Sequence, residues 1–362
     1  MEESMNSTIV TNETPTRKVN VKQVSIFVAL TFVLSWSLDL VLYLKGGLSS
    51  PVASVALQLQ MLLPAFSAML LESFFFKDSR IYFKTNRTTS RWFIWYFLLF
   101  TLFFMTIVGI GFFKPFWVVS ISSYLLIPSI LGLVLLIVLR LVGGKESFNS
   151  VGMGGGKAKY WILIGIGIAV FAGLQTLLNW VFKMGQPADQ SLLSVQAAMM
   201  GVPYSVLMVI LAAQTIILGP FLGLIITFGE EYGWRGFLQP ALTRIGRKFD
   251  VLLVGIIWGI WHWPIIWMGY NFPGHPYLGS LLMLLYCIGL AFILGYAVLK
   301  SKGVWIAAFL HALANQSFAF FMGFVYLPKD TAFSFGIGIP GLITLAIIVL
   351  LILRDPVWKE SD

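Results

Sequence analysis

The chain has 362 residues, of which 58% are hydrophobic and only 11% charged, and its formal net charge is +9. Soluble domains carry about 25% charged residues, so this composition excludes a water-soluble globular protein and points to a chain that crosses a membrane many times. In such a chain Lys and Arg mostly record orientation, so the excess of positive charge is not a nucleic-acid surface and no nucleic-acid partner is expected.

Residues 1–22 form a polar tail rich in Ser, Thr and Asn. It is not a secretory signal, because no apolar segment with a small-residue cleavage site opens it. Ten apolar runs follow, at 24–44, 53–76, 92–113, 117–139, 160–182, 204–229, 251–270, 279–299, 303–326 and 337–353. A span needs about 20 residues, and these runs approach or exceed that length. The run ending at residue 229 is expected to continue as helix past Glu230 toward Arg244. The loop from Gly143 to Gly156 is glycine-rich, and 184–200 reads as an interfacial helix or loop. The chain divides into a cytoplasmic tail (1–22), N-terminal spans (23–203), a core carrying the motifs below (204–326), and a last span with its tail (327–362). Placing the N-terminus in the cytoplasm puts every Lys and Arg on the cytoplasmic side except Lys45, Lys114, Lys183 and Lys329. That asymmetry predicts an even number of spans with both termini cytoplasmic. The fold class is therefore all-α, a polytopic transmembrane helix bundle of about ten spans, lying in the lipid bilayer.

Only 15 residues are Asp or Glu, yet Glu230 and Glu231 stand together at the end of an apolar run. Carboxylates at membrane depth are costly and mark function by default. Adjacent ones repel, so the pair needs a close partner or a shared proton. Arg235 lies four residues past Glu231, on the same helical face. The other ionisable groups within spans are few. His262 follows Trp258 by one turn, and Asn315 follows His311 by one turn, so each pair shares a face. At about 1.5 Å per residue, His262 lies roughly 16 Å, His311 roughly 12 Å and Asn315 roughly 18 Å from the cytoplasmic side. Three helices can thus bring carboxylate, imidazole and amide to one level, in the cytoplasmic half. Gly229 and Gly233, and likewise Gly255 and Gly259, carry the small-xxx-small spacing that lets helices pack closely in lipid.

Each group also has a plainer reading. The glutamates could form a loop pair just outside the membrane, with Arg235 as a surface partner. His262, between Trp261 and Trp263, could belong to an interfacial aromatic belt, and His311 and Asn315 could be interhelical hydrogen-bonding glue. Asp39 and Glu72 are taken as structural. His275, in a short loop, is assigned no role, and Cys287, the single cysteine, cannot form an internal disulfide.

Together these residues resemble the CPBP intramembrane proteases, the family of CAAX prenyl endopeptidases and of bacteriocin-processing and immunity proteins also called Abi. Glu230, Glu231 and Arg235 match its Glu-Glu-x-x-x-Arg motif. His262 matches its Phe-x-x-x-His motif with Trp258 in place of Phe, and His311 with Asn315 matches His-x-x-x-Asn. The resemblance covers about residues 204–326, and ten spans exceed the eight typical of the family's prenyl-protein proteases. It implies an endopeptidase acting on membrane-associated or lipidated protein or peptide substrates, without metal or other cofactor. Glu230 would be the general base, His262 would hold the water, and His311 with Asn315 would stabilise the oxyanion. Glu231, Arg235 and Trp258 would orient the site and the substrate. The string from Gly229 to Leu238 resembles prokaryotic members, which implies a bacterial or archaeal plasma membrane. Two further readings stay open. Two carboxylates and two histidines could bind zinc, although no His-Glu-x-x-His helix is present. Intramembrane Glu and His would also suit a transporter or a non-enzymatic scaffold.

Overall fold

The computed structural model describes residues 20–359; residues 1–19 of the polar tail, with Arg17 and Lys18, and residues 360–362 lie outside the described residues. The main helices, in order, are α1 (Val21–Leu44), α2 (Ala53–Phe74), α3 (Ser90–Gly111), α4 (Pro115–Gly143), α5 (Ala158–Val181), α6 (Tyr204–Leu222), α7 (Leu224–Glu231), α8 (Arg247–Trp261), α9 (Pro276–Ser301), α10 (Trp305–Val325) and α11 (Ile339–Ile352). They form an all-α polytopic bundle. Helix is the expected state for these apolar runs, because lipid offers no partners for backbone N–H and C=O groups. The only strands among the described residues are β1 (Gly185–Pro187) and β2 (Tyr326–Pro328), a short antiparallel ribbon.

Eight of these helices are long and apolar enough to cross a membrane, namely α1 to α6, α9 and α10. They account for eight of the ten predicted spans. The other two are shorter than expected. The run 251–270 gives α8, 15 residues long, which stops at His262 before a single short helix, Trp263–Trp267. Pro264 explains the stop, since it has no N–H to offer the carbonyl four residues back. The run 337–353 gives α11, 14 residues long, opened by Pro340. The helix expected to run unbroken from 204 past Glu230 is interrupted as well. It takes a π-helical turn at Ala213–Leu218, breaks at Gly223, and becomes π-helical again at Tyr232–Leu238. Pro220 lacks the N–H that a regular turn would use, and such interruptions widen the turn before them. The segment 184–200 contributes β1 and a helix, Ser191–Met199.

The glycine pairs sit where helices touch. A Cβ on Gly229 of α7 would stand 2.5 Å from the Met61 carbonyl oxygen of α2, and one on Gly259 of α8 would stand 2.7 Å from Leu284 Cα of α9. Both contacts are with backbone, which cannot yield as a flexible side chain can. Gly259→Val should therefore push α8 off α9 and cost about 1–3 kcal/mol. Unfolding of the purified protein in detergent measures this, and an unchanged midpoint would contradict the packing.

The connections sort onto two faces. On the charge-rich face, Lys157 N bonds to Ser301 O, Arg247 Nη1 donates to Val357 O at 2.6 Å, and Lys300 Nζ lies 2.9 Å from Asp355 Oδ2. On the charge-poor face, the ribbon joins β1 to β2, Lys329 N bonds to Met184 O, and His275 Nε2 pairs with Asp330 Oδ2 at 2.8 Å. His275, given no role from sequence, thus ties two connections of this face together. Asp355 accepts from the Val357 N–H and from Lys300 and Tyr296, and these donors hold its carboxyl below the usual carboxylate range. A depressed folded pKa means that its contribution to stability is full above the unfolded value of about 3.9 and is lost as pH falls through the folded value. Asp355→Asn should flatten that acid limb in a pH series of unfolding midpoints.

Candidate active site

Glu230 and Glu231 end α7. Neighbours on a helix point about 100° apart, so the two carboxylates diverge. Glu231 turns into protein and is fully buried. Its Oε1 accepts from Arg235 Nη1 at 3.0 Å and lies 2.8 Å from His311 Nδ1. Arg235 Nη1 is also 3.0 Å from Oε2, a contact of charge rather than a hydrogen bond. The guanidinium lies over the Trp258 ring, 4.4 Å from its centroid, a geometry in which the ring face attracts the cation. Arg235 Nε and Nη2 are buried without a protein partner.

Glu230 turns the other way. Its Oε2 accepts a 2.6 Å hydrogen bond from Trp258 Nε1, while Oε1 has no hydrogen-bond partner among the described residues. Phenylalanine, the residue that the family motif carries at this position, could not make this bond, so the aromatic exchange is not chemically silent. His262, at the end of α8, has Nδ1 2.8 Å from the Trp258 carbonyl oxygen. A carbonyl only accepts, so Nδ1 carries the proton and a neutral ring keeps its Nε2 lone pair. Cys287 Sγ lies 3.7 Å from the same Nδ1. On α10, His311 is buried with Nδ1 committed to Glu231, and Asn315, one turn on, is exposed and makes no side-chain hydrogen bond.

Glu230, His262, His311, Asn315 and Trp258 all line one cavity of about 670 Å³, within the roughly 300–1,000 Å³ range of ligand sites. Glu231 and Arg235 do not line it. They stand behind it, and Arg235 borders a second cavity of about 490 Å³ whose walls include Arg80 and Lys302 on the charge-rich face. The sequence reading placed the site in the cytoplasmic half. The first cavity runs from these side chains to Tyr270, Thr331 and Ile337 at the charge-poor face. It also has walls that the motifs do not mark, among them Gln60, Tyr286 and Gln316. Gln60 could have been suspected as an amide inside the second apolar run. It donates to Asp39 Oδ2 at 3.0 Å, and Glu72 accepts from Ser79 and Tyr232, so both isolated carboxylates are partnered. Among the described residues, no group of three or more His, Cys, Asp or Glu side chains is arranged to hold a metal ion.

Residues 212–317 match the family model described as Type II CAAX prenyl endopeptidase Rce1-like. The match contains all three motifs and bears out the resemblance drawn from them. No curated protein and no solved structure matches the chain.

Proposed function

We propose that the chain is an intramembrane glutamic endopeptidase that hydrolyses peptide bonds of membrane-associated or lipidated proteins or peptides. The observation that carries this reading is the division of labour in the glutamate pair. Glu230 opens to a cavity shared with His262, His311 and Asn315, while Glu231 is tied down behind it. Glu230 removes a proton from a water held by the His262 Nε2 lone pair, and the resulting hydroxide attacks the peptide carbonyl carbon. His311 acts as an imidazolium: its Nδ1–H is committed to Glu231, and its Nε2–H, with the Asn315 amide N–H, donates to the oxygen on which charge develops, where each preorganised donor is worth roughly 3–4 kcal/mol. The C–N bond then breaks, and Glu230 returns its proton to the departing amine. Glu231 holds His311 in place, and Arg235 and Trp258 fix the two carboxylates. In this scheme the protein uses no metal, and cleavage survives exhaustive chelation. The setting is a prokaryotic plasma membrane.

A carrier is the second reading, since two cavities approach the buried Glu231–Arg235 pair from opposite faces. Terminal-peptide mass spectrometry on cells expressing the wild type or Glu230→Gln separates the two. A protease leaves peptide termini that vanish in the variant. Identical termini in both would refute the assignment.

A further inference from the structure

We infer that the cleavage chamber is entered from the extracytoplasmic face, and that it takes an uncharged, apolar peptide segment where that segment emerges from the outer leaflet. This rests on the proteolytic reading above, and it adds the side of access and the chemistry of the substrate.

Three observations carry it. Among the described residues, Lys and Arg are gathered on the connections of one face, and those of the opposite face keep only Lys45, Lys114, Lys183 and Lys329. Positive residues mark the cytoplasmic side of a membrane protein, so the charge-poor face is extracytoplasmic. Second, the chamber reaches that face alone. Its outer walls are Tyr270 and Asn271, which follow α8, and Pro328, Thr331 and Ile337, which follow α10. No wall comes from the connections of the charge-rich face. Third, buried side chains separate the chamber from the cavity on the cytoplasmic side. The cavity on that side is lined by Arg235 but by none of Glu230, His262, His311 or Asn315, and the fully buried Arg235–Glu231 pair lies between it and the chamber.

The lining sets the chemistry of the substrate. Apart from Glu230, His262 and His311, no Asp, Glu, Lys, Arg or His among the described residues borders the chamber. A charged side chain beside the scissile bond would lose its hydration without gaining a partner, at high cost. Leu57, Met61, Met283 and Phe335 offer apolar contact instead, which suits the end of a membrane segment rather than a soluble, charged peptide.

Thiol labelling of the full chain tests the side of access without depending on catalysis. In a Cys287→Ala background, which removes the single cysteine, a cysteine is placed within the chamber by Gln316→Cys or Met322→Cys, at its mouth by Tyr270→Cys, which replaces an exposed wall residue, or on the opposite face by Lys302→Cys. A charged, membrane-impermeant methanethiosulfonate is added to cells with intact plasma membranes and, separately, after permeabilisation. The expected result is labelling of the chamber and mouth positions in intact cells, and of Lys302→Cys only after permeabilisation. Labelling of Lys302→Cys in intact cells, or of neither chamber position there, overturns the proposal. The terminal-peptide experiment adds a second reading. Glu230-dependent termini should map to the extracytoplasmic ends of substrate spans, with uncharged residues on both sides of the cut. Termini on cytoplasmic flanks would refute the access route while leaving the protease intact, whereas the absence of any such termini would refute the protease and leave the labelling result standing.

Discussion

Glu230→Gln is expected to lower the rate of peptide-bond cleavage by about 10²–10⁴-fold, the contribution typical of a positioned general base, and to leave the protein folded. The side chain keeps its shape, and its amide oxygen can still accept from Trp258 Nε1, which now stands 2.6 Å from Oε2. What disappears is the ability to take a proton from water. The purified protein with an apolar peptide substrate gives the rate, and the unfolding midpoint in detergent gives the control. Full activity in this variant would remove Glu230 from the mechanism. His262→Ala should also abolish cleavage, because it deletes the acceptor that holds the water. Trp258→Phe is a finer probe. It keeps an aromatic face for the Arg235 guanidinium but removes the N–H that orients the carboxylate, so it should slow cleavage without unfolding the chain. A rate equal to wild type would mean that this hydrogen bond does not position the base.

Arg235→Leu should be among the most destabilising single changes in the bundle. Arg235 and Glu231 have side chains with no solvent exposure, and removing one partner of such a pair costs about 3–5 kcal/mol because the other is left charged in a poorly solvating interior. His311 remains beside Glu231 and offsets part of the loss. The double variant Arg235→Leu with Glu231→Gln removes both charges and should recover much of the lost stability, since well-packed neutral replacements of buried pairs are often neutral or stabilising. Unfolding in detergent reads both. A double variant no more stable than Arg235→Leu would show that the damage comes from lost packing around Arg235, not from an uncompensated carboxylate.

The two predictions concern adjacent glutamates whose difference was only partly legible beforehand. The four-residue spacing to Arg235 singled out Glu231 as the ion partner, because residues one turn apart lie on one helical face. The contact from His311 to Glu231, 80 residues away in sequence, had no local signature. The same limit applies to Gln60, Tyr270 and Tyr286. Each is an unremarkable residue of its own segment, and each becomes a wall of the chamber only because α2, α8 and α9 pack around α7 and α10. The length of α8 was misjudged for a different reason. Hydropathy runs smoothly through His262, and the missing N–H of Pro264 ends the helix without changing the apolar pattern.

Composition, the periodicity of the motifs and the one-sided distribution of Lys and Arg were enough to establish a polytopic helical membrane protein with Glu230, His262, His311 and Asn315 as candidate chemistry. These features are local or summed along the chain, so they survive without knowledge of packing. Packing alone decided which glutamate faces open space, that Trp258 grips it, and toward which face the chamber opens. Those properties depend on the gaps left between helices distant in sequence, and a gap has no residue pattern of its own.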